Sequence, residues 1–388
     1  MKKNYLLSLY RKVNPSLRSN FKKHSLDNLK ILENKFNIDM SFFKKKKVLD
    51  IAAGVGDNAI NFAKNGAHVT LIDFNEISIN AAKKIFKKKK IKNCKFLVGN
   101  FFTNINKLGK GYDFINCTGA LHHFDFSNEK SLKIISKLLN KNGYLFLAVG
   151  TDSGGFQHKV MKAISRRWGM REKDIEFASS NLFKEYIDRS VKYGMRKKDQ
   201  VINDQFINKT HKYVNIESIG KLLEKKGIKI LHSEPSLNSL NGDSVRKNLN
   251  NVKKNYGDKF LRQQYYWTLK YNNDDEIFKI NKNFCSSYYD LIDLVNKNAE
   301  KKNFFLNKKI IKSLKKFNNY HKSYIDNEIK IIKENSKFYH ELSDLLIPLF
   351  KQKKIKLNEV QKKISNSKKL FKNTSGLTLN YFLCKRYK

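Results

Sequence analysis

The chain has 388 residues and carries 79 Lys and Arg against 35 Asp and Glu, a formal net charge of +44. This length exceeds that of a typical single domain, so we expect two domains or one domain with a long insertion, and we favour the insertion. Nothing in the sequence approaches the roughly 20 apolar residues that a membrane span needs, and residues 1–11 lack a secretory cleavage pattern. The cysteines are Cys94, Cys117, Cys285 and Cys384. Their spacing matches neither a disulfide framework nor a metal motif, so we expect free thiols, a cytoplasmic protein and no metal site.

The basic excess has two interpretations. Such a charge would attract nucleic acid, anionic lipid or an acidic substrate. However, it is nearly all Lys, beside abundant Asn and Ile and only three Pro, which is the bias expected if codons drift toward A and T. We favour drift, with much of the charge on solvated surface, because a selected polyanion site should also show clustered Arg. Nucleic-acid binding and peripheral membrane contact stay open.

The first half of the chain alternates between strands and helices. Residues 1–46 are expected to form a helical lead-in, with an amphipathic helix over 17–36. From Lys47 short apolar runs alternate with helical stretches, which is typical of βαβ units with helices on both faces of a sheet. We therefore predict a Rossmann-like, doubly wound, mostly parallel α/β core over 47–151. Its predicted strands are 48–52, 68–72, 95–98, 113–117 and 144–149, and its helices are 58–64, 77–88 and 129–140, the last ended by a left-handed Gly143.

The second half is mainly helical. We expect a helical lid or substrate segment over 152–215, with helices 159–168 and 174–193, and then a continuation of the core over 216–232. Residues 233–373 are Lys-rich with helical periodicity, including 286–295 and 325–350. Residues 374–388 then carry a strand pattern at 376–386. We favour a return of this strand to the sheet as its seventh member, which makes 233–373 an insertion; the alternative is a free helical appendage.

A tight turn follows the first predicted strand. Gly54 and Gly56 would let the backbone approach a ligand at the carboxyl edge of the sheet. Asp50 ends the strand, and the spaced glycines of a dinucleotide fingerprint are missing. A carboxylate here would repel a pyrophosphate, so the turn favours a ligand that carries an ammonium and a sulfonium. This pattern argues against NAD.

The next two strands also end in polar residues. Asp73 ends the second strand, from where a carboxylate can accept hydrogen bonds from both ribose hydroxyls. After the third strand, Asn100 could accept from an adenine amino group, and Phe101 could stack on the base or pack in the core.

With these motifs, residues 48–149 resemble a class I S-adenosylmethionine (SAM) dependent methyltransferase of the type 11 or 12 group. The resemblance implies SAM as cofactor, bound at the positions of Asp50, Gly54, Gly56, Asp73 and Asn100. Two residues depart from the family pattern: Ala52 stands where the first glycine is frequent, and Asn100 replaces the commoner acid. The predicted cofactor-binding set is Asp50, Ala52, Gly54, Gly56, Asp73, Phe74, Asn100, Phe101 and Cys117.

The fourth strand runs into Leu121, His122 and His123, at an edge that lies beside the methyl group in the resembling family. His122 or His123 could take a proton from an oxygen or nitrogen nucleophile, because imidazole titrates near neutral pH. The alternative is that each merely caps or packs the next helix. Alignment alone can supply roughly 7–11 kcal/mol, so methyl transfer does not require a dedicated base.

Before the predicted helix at 216–226, Asp204, His211 and Tyr213 are candidate acceptor-binding residues. In similar enzymes a segment at this place closes over the acceptor pocket. The alternative is an ordinary surface loop.

Three functions are compatible with these residues. We favour methyl transfer to an oxygen or nitrogen of a small molecule, lipid or glycan. A nucleic-acid methyltransferase would suit the positive field. The sequence from Asn116 to Gly119 has neither the two prolines of base-amine enzymes nor a proline before Cys117, which leaves ribose methylation and RNA recognition through the helical insertion. The third function is a partner-binding protein that keeps the fold without catalysis, and the retained Asp50 and Asp73 argue against it.

Overall fold

The structure is a computed structural model, which describes residues 2–14, 28–123, 128–209, 212–234, 282–324, 330–352, 354–372 and 379–387. Its centre is a seven-stranded sheet in the order β3-β2-β1-β4-β5-β7-β6, with β1 (Lys47–Ile51), β2 (His68–Asp73), β3 (Cys94–Val98), β4 (Tyr112–Thr118), β5 (Leu139–Val149), β6 (Ile228–Glu234) and β7 (Asn380–Arg386). Strands β1 to β5 run parallel, and β7 is antiparallel to both of its neighbours. The predicted doubly wound, mostly parallel sheet is confirmed.

The helices that accompany the first five strands are α1 (Lys2–Lys12), α2 (Ala59–Lys64), α3 (Glu76–Lys88), α4 (Ile105–Leu108) and α5 (Asn128–Leu138). After β5 come α6 (Phe156–Ser165), α7 (Glu172–Leu182), α8 (Lys184–Gly194), α9 (Lys198–Ile202) and α10 (Ile216–Lys225). Beyond β6 lie α11 (Lys282–Asn298), α12 (Lys308–Tyr324), α13 (Lys330–Lys351) and α14 (Leu357–Asn366). Short helical turns occupy Ile31–Lys35, Met40–Phe43, Leu121–His123, Asn203–Ile207 and Phe304–Leu306.

Both faces of the sheet are buried. Alternate residues of β5 point to opposite faces, so Leu145 and Leu147 join one apolar cluster and Phe146 joins the other. This two-sided burial explains why the strands appear in the sequence as nearly continuous apolar runs. A third cluster contains residues of α6 to α9 together with residues of α11 to α14, for example Phe156 and Tyr288. The predicted lid segment and the helical segment beyond β6 therefore share one core.

The last strand lies inside the sheet. In β7, Cys384 is opposite Leu145 of β5 on one side and Ile230 of β6 on the other, and it is fully buried. The chain thus returns to the sheet after the helical excursion. The division of the chain into the six predicted segments stays a prediction.

Two predicted helices differ in the structure. The helix predicted over 174–193 is broken into α7 and α8 at Phe183, whose ring stacks on Phe206 with centroids 5.8 Å apart. Packing of this ring overrides the helical periodicity. The helix predicted to reach residue 140 ends at Leu138, and β5 begins at once. Asn142, with φ 64°, is the left-handed residue there. A Cβ on Gly143 would instead lie 3.0 Å from two backbone oxygens, so close packing of the chain explains that glycine.

The amino-terminal lead-in also differs. Helix α1 lies within the expected helical lead-in, where no helix had been placed at these residues, and its apolar residues include Leu6 and Leu9, which are buried. Of the helix predicted over 17–36, residues 17–27 lie outside the described ranges, and Ile31–Lys35 forms a π-helical turn. The parts of the predicted elements at 325–329 and 376–378 are likewise outside the described residues.

Candidate active site

A cavity of about 320 Å³ lies at the carboxyl edge of the sheet, where the loops after β1, β2, β3 and β4 meet α1. This edge is where open α/β sheets bind ligands, and the volume is within the roughly 300–1,000 Å³ of small-molecule sites. Eight of the residues predicted to bind or react line it: Ala52, Gly54, Asp73, Phe74, Asn100, Phe101, His123 and Asp204.

The turn after β1 brings backbone to the cavity through left-handed residues. Ala52 and Gly54 have φ values of 55° and 56°, and both line the wall. Gly56, with φ 83°, does not line the wall, and its role in binding stays a prediction. A Cβ at Gly56 would lie 2.9 Å from the ring of Phe86 in α3 and 3.1 Å from Leu71. Gly56 is therefore required by the packing of α3 against the turn.

Asp73 ties the first two loops together. Its Oδ2 accepts a hydrogen bond from the amide of Gly54 at 2.9 Å, and its Oδ1 accepts from the amide of Asn75 at 2.8 Å. Burial raises the pKa of Asp73 to about 6, against the opposing effect of these hydrogen bonds. The carboxylate is thus ionised at neutral pH, and each oxygen keeps a second lone pair for a ligand.

Asp50 and Cys117 are not among the residues that line the cavity, and their contact with the cofactor stays a prediction. Asp50 is 1% exposed, and its Oδ1 accepts from Asn116 Nδ2 at 2.6 Å, because the register pairs these residues of β1 and β4. Burial raises the pKa of Asp50 to about 7. Asn116 also approaches Thr118 Oγ1 at 3.4 Å, and Thr118 lines the cavity, so these two side chains connect Asp50 to the wall. Burial within the sheet raises the pKa of Cys117 to about 12.

The loop after β3 and the end of β2 supply aromatic surface. Asn100 lines the cavity, and its Oδ1 accepts from the amide of Phe102 at 2.8 Å. Phe101 is 5% exposed and lies edge-on to Phe102. Phe74 lines the wall beside Tyr10, with ring centroids 5.6 Å apart. These rings offer apolar faces beside one amide.

The two histidines occupy different environments. His122 is buried and does not line the cavity; its Nδ1 accepts from the amide of Gly150 at 3.3 Å, so it joins the turn after β4 to the end of β5. Its role as a base stays a prediction. His123 lines the cavity. Burial lowers the pKa of His123, and the opposing effect of Asp204 does not reverse this, so the imidazole is neutral at pH 7.

Two residues that the sequence analysis missed complete this part of the wall. Arg196 Nη1 donates to Asp204 Oδ2 at 2.8 Å, and although burial raises the pKa of Asp204, Arg196 brings it below its ordinary value. The ring of Tyr10 lies edge-on to His123, with centroids 6.3 Å apart. We call Tyr10, His123, Arg196 and Asp204 the His123 cluster.

Helix α1 is held on the cavity from both sides. Its Tyr10 carbonyl accepts from Asn75 Nδ2 at 3.2 Å, which connects it to the turn after β2. Asn14, just beyond the helix, donates to Ser78 Oγ at 2.8 Å, and its carbonyl accepts from Gln200 Nε2 at 2.6 Å. The spacing of Leu6 and Tyr10, four residues apart on one helix face, is the sequence signal that could have identified this helix as part of the site.

Tyr213 is not among the residues that line the cavity, and its contact with the acceptor stays a prediction. Its hydroxyl lies beside His158 Nδ1, and its ring packs so tightly on Gly155 that a Cβ there would clash. His211, the remaining acceptor-binding candidate, lies outside the described residues.

The charge of the wall is opposite to that of the chain. Among the described residues it carries the carboxylates of Asp57, Asp73 and Asp204, and Arg196 is its one permanent cation. The chain as a whole has a net charge of +44. The cavity is thus an acidic pocket in a basic protein. Within the described ranges, neither a group of three metal-ligating side chains nor a helix long and apolar enough to cross a membrane occurs.

Comparisons with known proteins agree with this architecture. Residues 42–162 match the model of a methyltransferase domain family. A protein of Rickettsia prowazekii, RP028, is 30% identical over 122 residues, which are 31% of this chain and 48% of the relative. The chain thus spans about half the length of this curated relative.

Solved structures match over similar shares. PKMT2 from Rickettsia typhi is 19% identical with a TM-score of 0.43, covering 57% of this chain and 46% of that one. Its complex with AdoHcy gives 19% identity and a TM-score of 0.42, covering 61% and 49%. The family match identifies residues 42–162 as a methyltransferase domain.

Proposed function

We propose that this protein transfers a methyl group from SAM to an oxygen or nitrogen atom of a small molecule, lipid or glycan. The observation that carries the proposal is a single cavity that joins the strand-end loops to the His123 cluster. The loops supply Asp73 and the aromatic rings, and the cluster supplies a neutral imidazole next to a carboxylate.

The strand-end loops suit the cofactor. SAM supplies an electrophilic methyl group on a positively charged sulfonium and also carries an ammonium, which suits an acidic wall. The free lone pairs of Asp73 can accept from the ribose hydroxyls. The rings of Phe74 and Phe101 offer surface for adenine, and the Oδ1 of Asn100, already accepting from Phe102, keeps a second lone pair.

His123 is the residue that we assign as general base. A neutral imidazole on the wall can accept the proton of an acceptor hydroxyl or amine as the new bond to carbon forms. Asp204 favours the charged imidazolium that results, because it raises the pKa of His123. Arg196 in turn keeps Asp204 ionised, so that the carboxylate does not take the proton itself.

The acidic wall also bears on the class of acceptor. A phosphate-rich chain threaded into this cavity would meet three carboxylates and one guanidinium. Like charges at short range are unfavourable inside a partly desolvated pocket. This supports acceptors that present a neutral hydroxyl or amine over acceptors that present phosphate at the cavity.

The test begins with titration calorimetry of the native protein with SAM, beside Asp73→Ala. We expect micromolar binding by the native chain and a loss of about 10- to 100-fold in the variant, since hydrogen bonds to a charged group contribute about 1.5–3 kcal/mol. Metabolite, lipid and glycan pools are then incubated with methyl-labelled SAM, with RNA assayed across a salt series. Absence of SAM binding by folded native protein would contradict the proposal and favour a partner-binding scaffold. Labelling of RNA alone would contradict the acceptor class.

A further inference from the structure

The segment that follows Asp204 is held by a row of buried side chains. The backbone oxygens of residues 205–208 form what we call the carbonyl row, and each accepts from a different side chain. His158 Nε2 donates to the oxygen of Gln205, and Arg166 Nη2 donates to the oxygen of Phe206 at 2.8 Å. The Tyr5 hydroxyl donates to the oxygen of Ile207 at 3.3 Å, and Lys162 Nζ donates to the oxygen of Asn208 at 2.6 Å.

The sequence of α6 matches this row. His158, Lys162 and Arg166 are spaced by four residues, so they lie on one face of the helix, and all three are buried. The row begins in the π-helical turn Asn203–Ile207, whose end leaves carbonyls without helical partners. Buried carbonyls need a donor, and in this protein the basic face of α6 and Tyr5 of α1 provide it.

One carboxylate beyond β6 balances this basic face. Glu300, which follows α11, lies 2.6 Å from Lys159 Nζ and 3.5 Å from Lys162 Nζ. Burial lowers the pKa of Lys162 to about 7. The positive charges of Lys159 and Arg166 lower this pKa further, whereas the carboxylates of Glu300 and Asp204 raise it. Lys162 also lowers the pKa values of two neighbouring imidazoles, those of His158 and His123. The helical segment beyond β6 thus supplies a charge that lets lysines be buried beside the site.

We propose that Lys162 is a positioning residue: by holding the carbonyl row it fixes Asp204 beside His123, and Glu300 makes the helical segment beyond β6 part of this support. The inference deepens the proposed function and rests on it where catalysis is concerned. Its geometric part, the placement of Asp204 beside His123, can be tested without an acceptor.

The test follows the titration of the His123 imidazole by NMR in Lys162→Met, with the resonance assigned through His123→Gln. If Lys162 acted only through its charge, its removal would raise the pKa of His123. If Lys162 positions Asp204, whose charge raises the pKa of His123, removal of Lys162 lowers the pKa of His123. We expect the pKa to fall. An unchanged or raised pKa would overturn the proposal.

Two further variants separate positioning from charge and from folding. Lys159→Met is the matched control, because it removes the other lysine that pairs with Glu300 and leaves the hydrogen bond from Lys162 to the backbone oxygen of Asn208 in place; we expect the pKa of His123 to stay unchanged. Tyr5→Phe removes one donor of the row without altering any charge, and we expect a smaller fall. The proposal would be contradicted if the pKa of His123 fell as far in Lys159→Met as in Lys162→Met, or if it did not fall in Tyr5→Phe.

The same samples are titrated with SAM by calorimetry. We expect the SAM dissociation constant of all three variants to remain within about twofold of the native value, because none touches the strand-end loops. Failure of the native protein to bind SAM would remove the proposed function while leaving the NMR result on Asp204 valid. Once an acceptor is identified, Lys162→Met should lower kcat with unchanged SAM affinity, because a displaced Asp204 no longer favours the imidazolium of His123.

Discussion

The two groups of residues that line the cavity are built in different ways. The loops after β1, β2 and β3 bring their residues there directly from strand ends that are neighbours in one sheet. The His123 cluster instead gathers residues from α1, the turn after β4 and the region around α9, which are far apart in the chain. The first group depends on local geometry, whereas the second depends on packing of the helical region. Substitutions in the two groups should therefore differ in what they change.

The largest expected effect is on catalysis through the His123 cluster. Replacing His123 by Gln removes the proposed base, and we expect kcat to fall by about 10²–10⁴-fold, the usual contribution of general base catalysis. SAM affinity, measured by calorimetry, should stay within a few fold because the strand-end loops are untouched. His122→Gln is the comparison: it loses the contact with Gly150 and should lower stability with a smaller change in kcat. Equal losses of kcat in both variants would contradict the assignment.

The next effect concerns stability and distinguishes two glycines, Gly56 after β1 and Gly119 after β4. Gly56→Ala adds a Cβ 2.9 Å from Phe86 in a left-handed residue, so strain and overpacking should add to about 2–4 kcal/mol. Gly119→Ala also places an alanine in the left-handed region, with φ 69°, but its Cβ would have no heavy atom within 4 Å. We expect it to lose only about 1–2 kcal/mol. Urea unfolding of both measures the difference, and equal losses would show that contact with α3 does not matter.

These comparisons also explain what the sequence predicts well. The sheet, Gly54 and Asp73 follow from short apolar runs that end in Gly or Asp, because parallel strands place their carboxyl ends at one edge. Arg196 was missed because its place beside Asp204 depends on how the helical region packs, which no local pattern encodes. The spacing of Leu6 and Tyr10 predicts a helix face, but not that this face lies on the cavity. His122 and His123 are adjacent, and only the structure separates the buried one from the one on the wall.

The pH dependence of cofactor binding sharpens the role of Asp73. The folded protein raises the pKa of Asp73 to about 6. The protonated carboxyl therefore stabilises the fold at low pH, and this contribution is lost as pH rises through 6, where the protein without ligand holds a buried charge. A ligand that donates to this carboxylate favours the ionised form, so SAM binding should weaken as pH falls through 6. Proton competition at a pKa of 6 predicts about a 10-fold weaker binding at pH 5 than at pH 7.5. Calorimetry across this range should show the change in the native protein and little of it in Asp73→Asn, and a parallel fall in both would assign it to another group, such as Asp50.

The smallest effect is expected at Ala52, the position where the family often has glycine. Its φ of 55° is in the left-handed region, which costs a non-glycine residue about 1–2 kcal/mol. Ala52→Gly relieves this strain but makes the unfolded chain more flexible, which offsets about 0.5–1 kcal/mol. Urea unfolding should therefore show a gain below about 1 kcal/mol, with SAM affinity within a few fold. A larger loss of SAM affinity would mean that the Ala52 methyl group contacts the cofactor, and that the departure from glycine is part of the binding site rather than a tolerated strain.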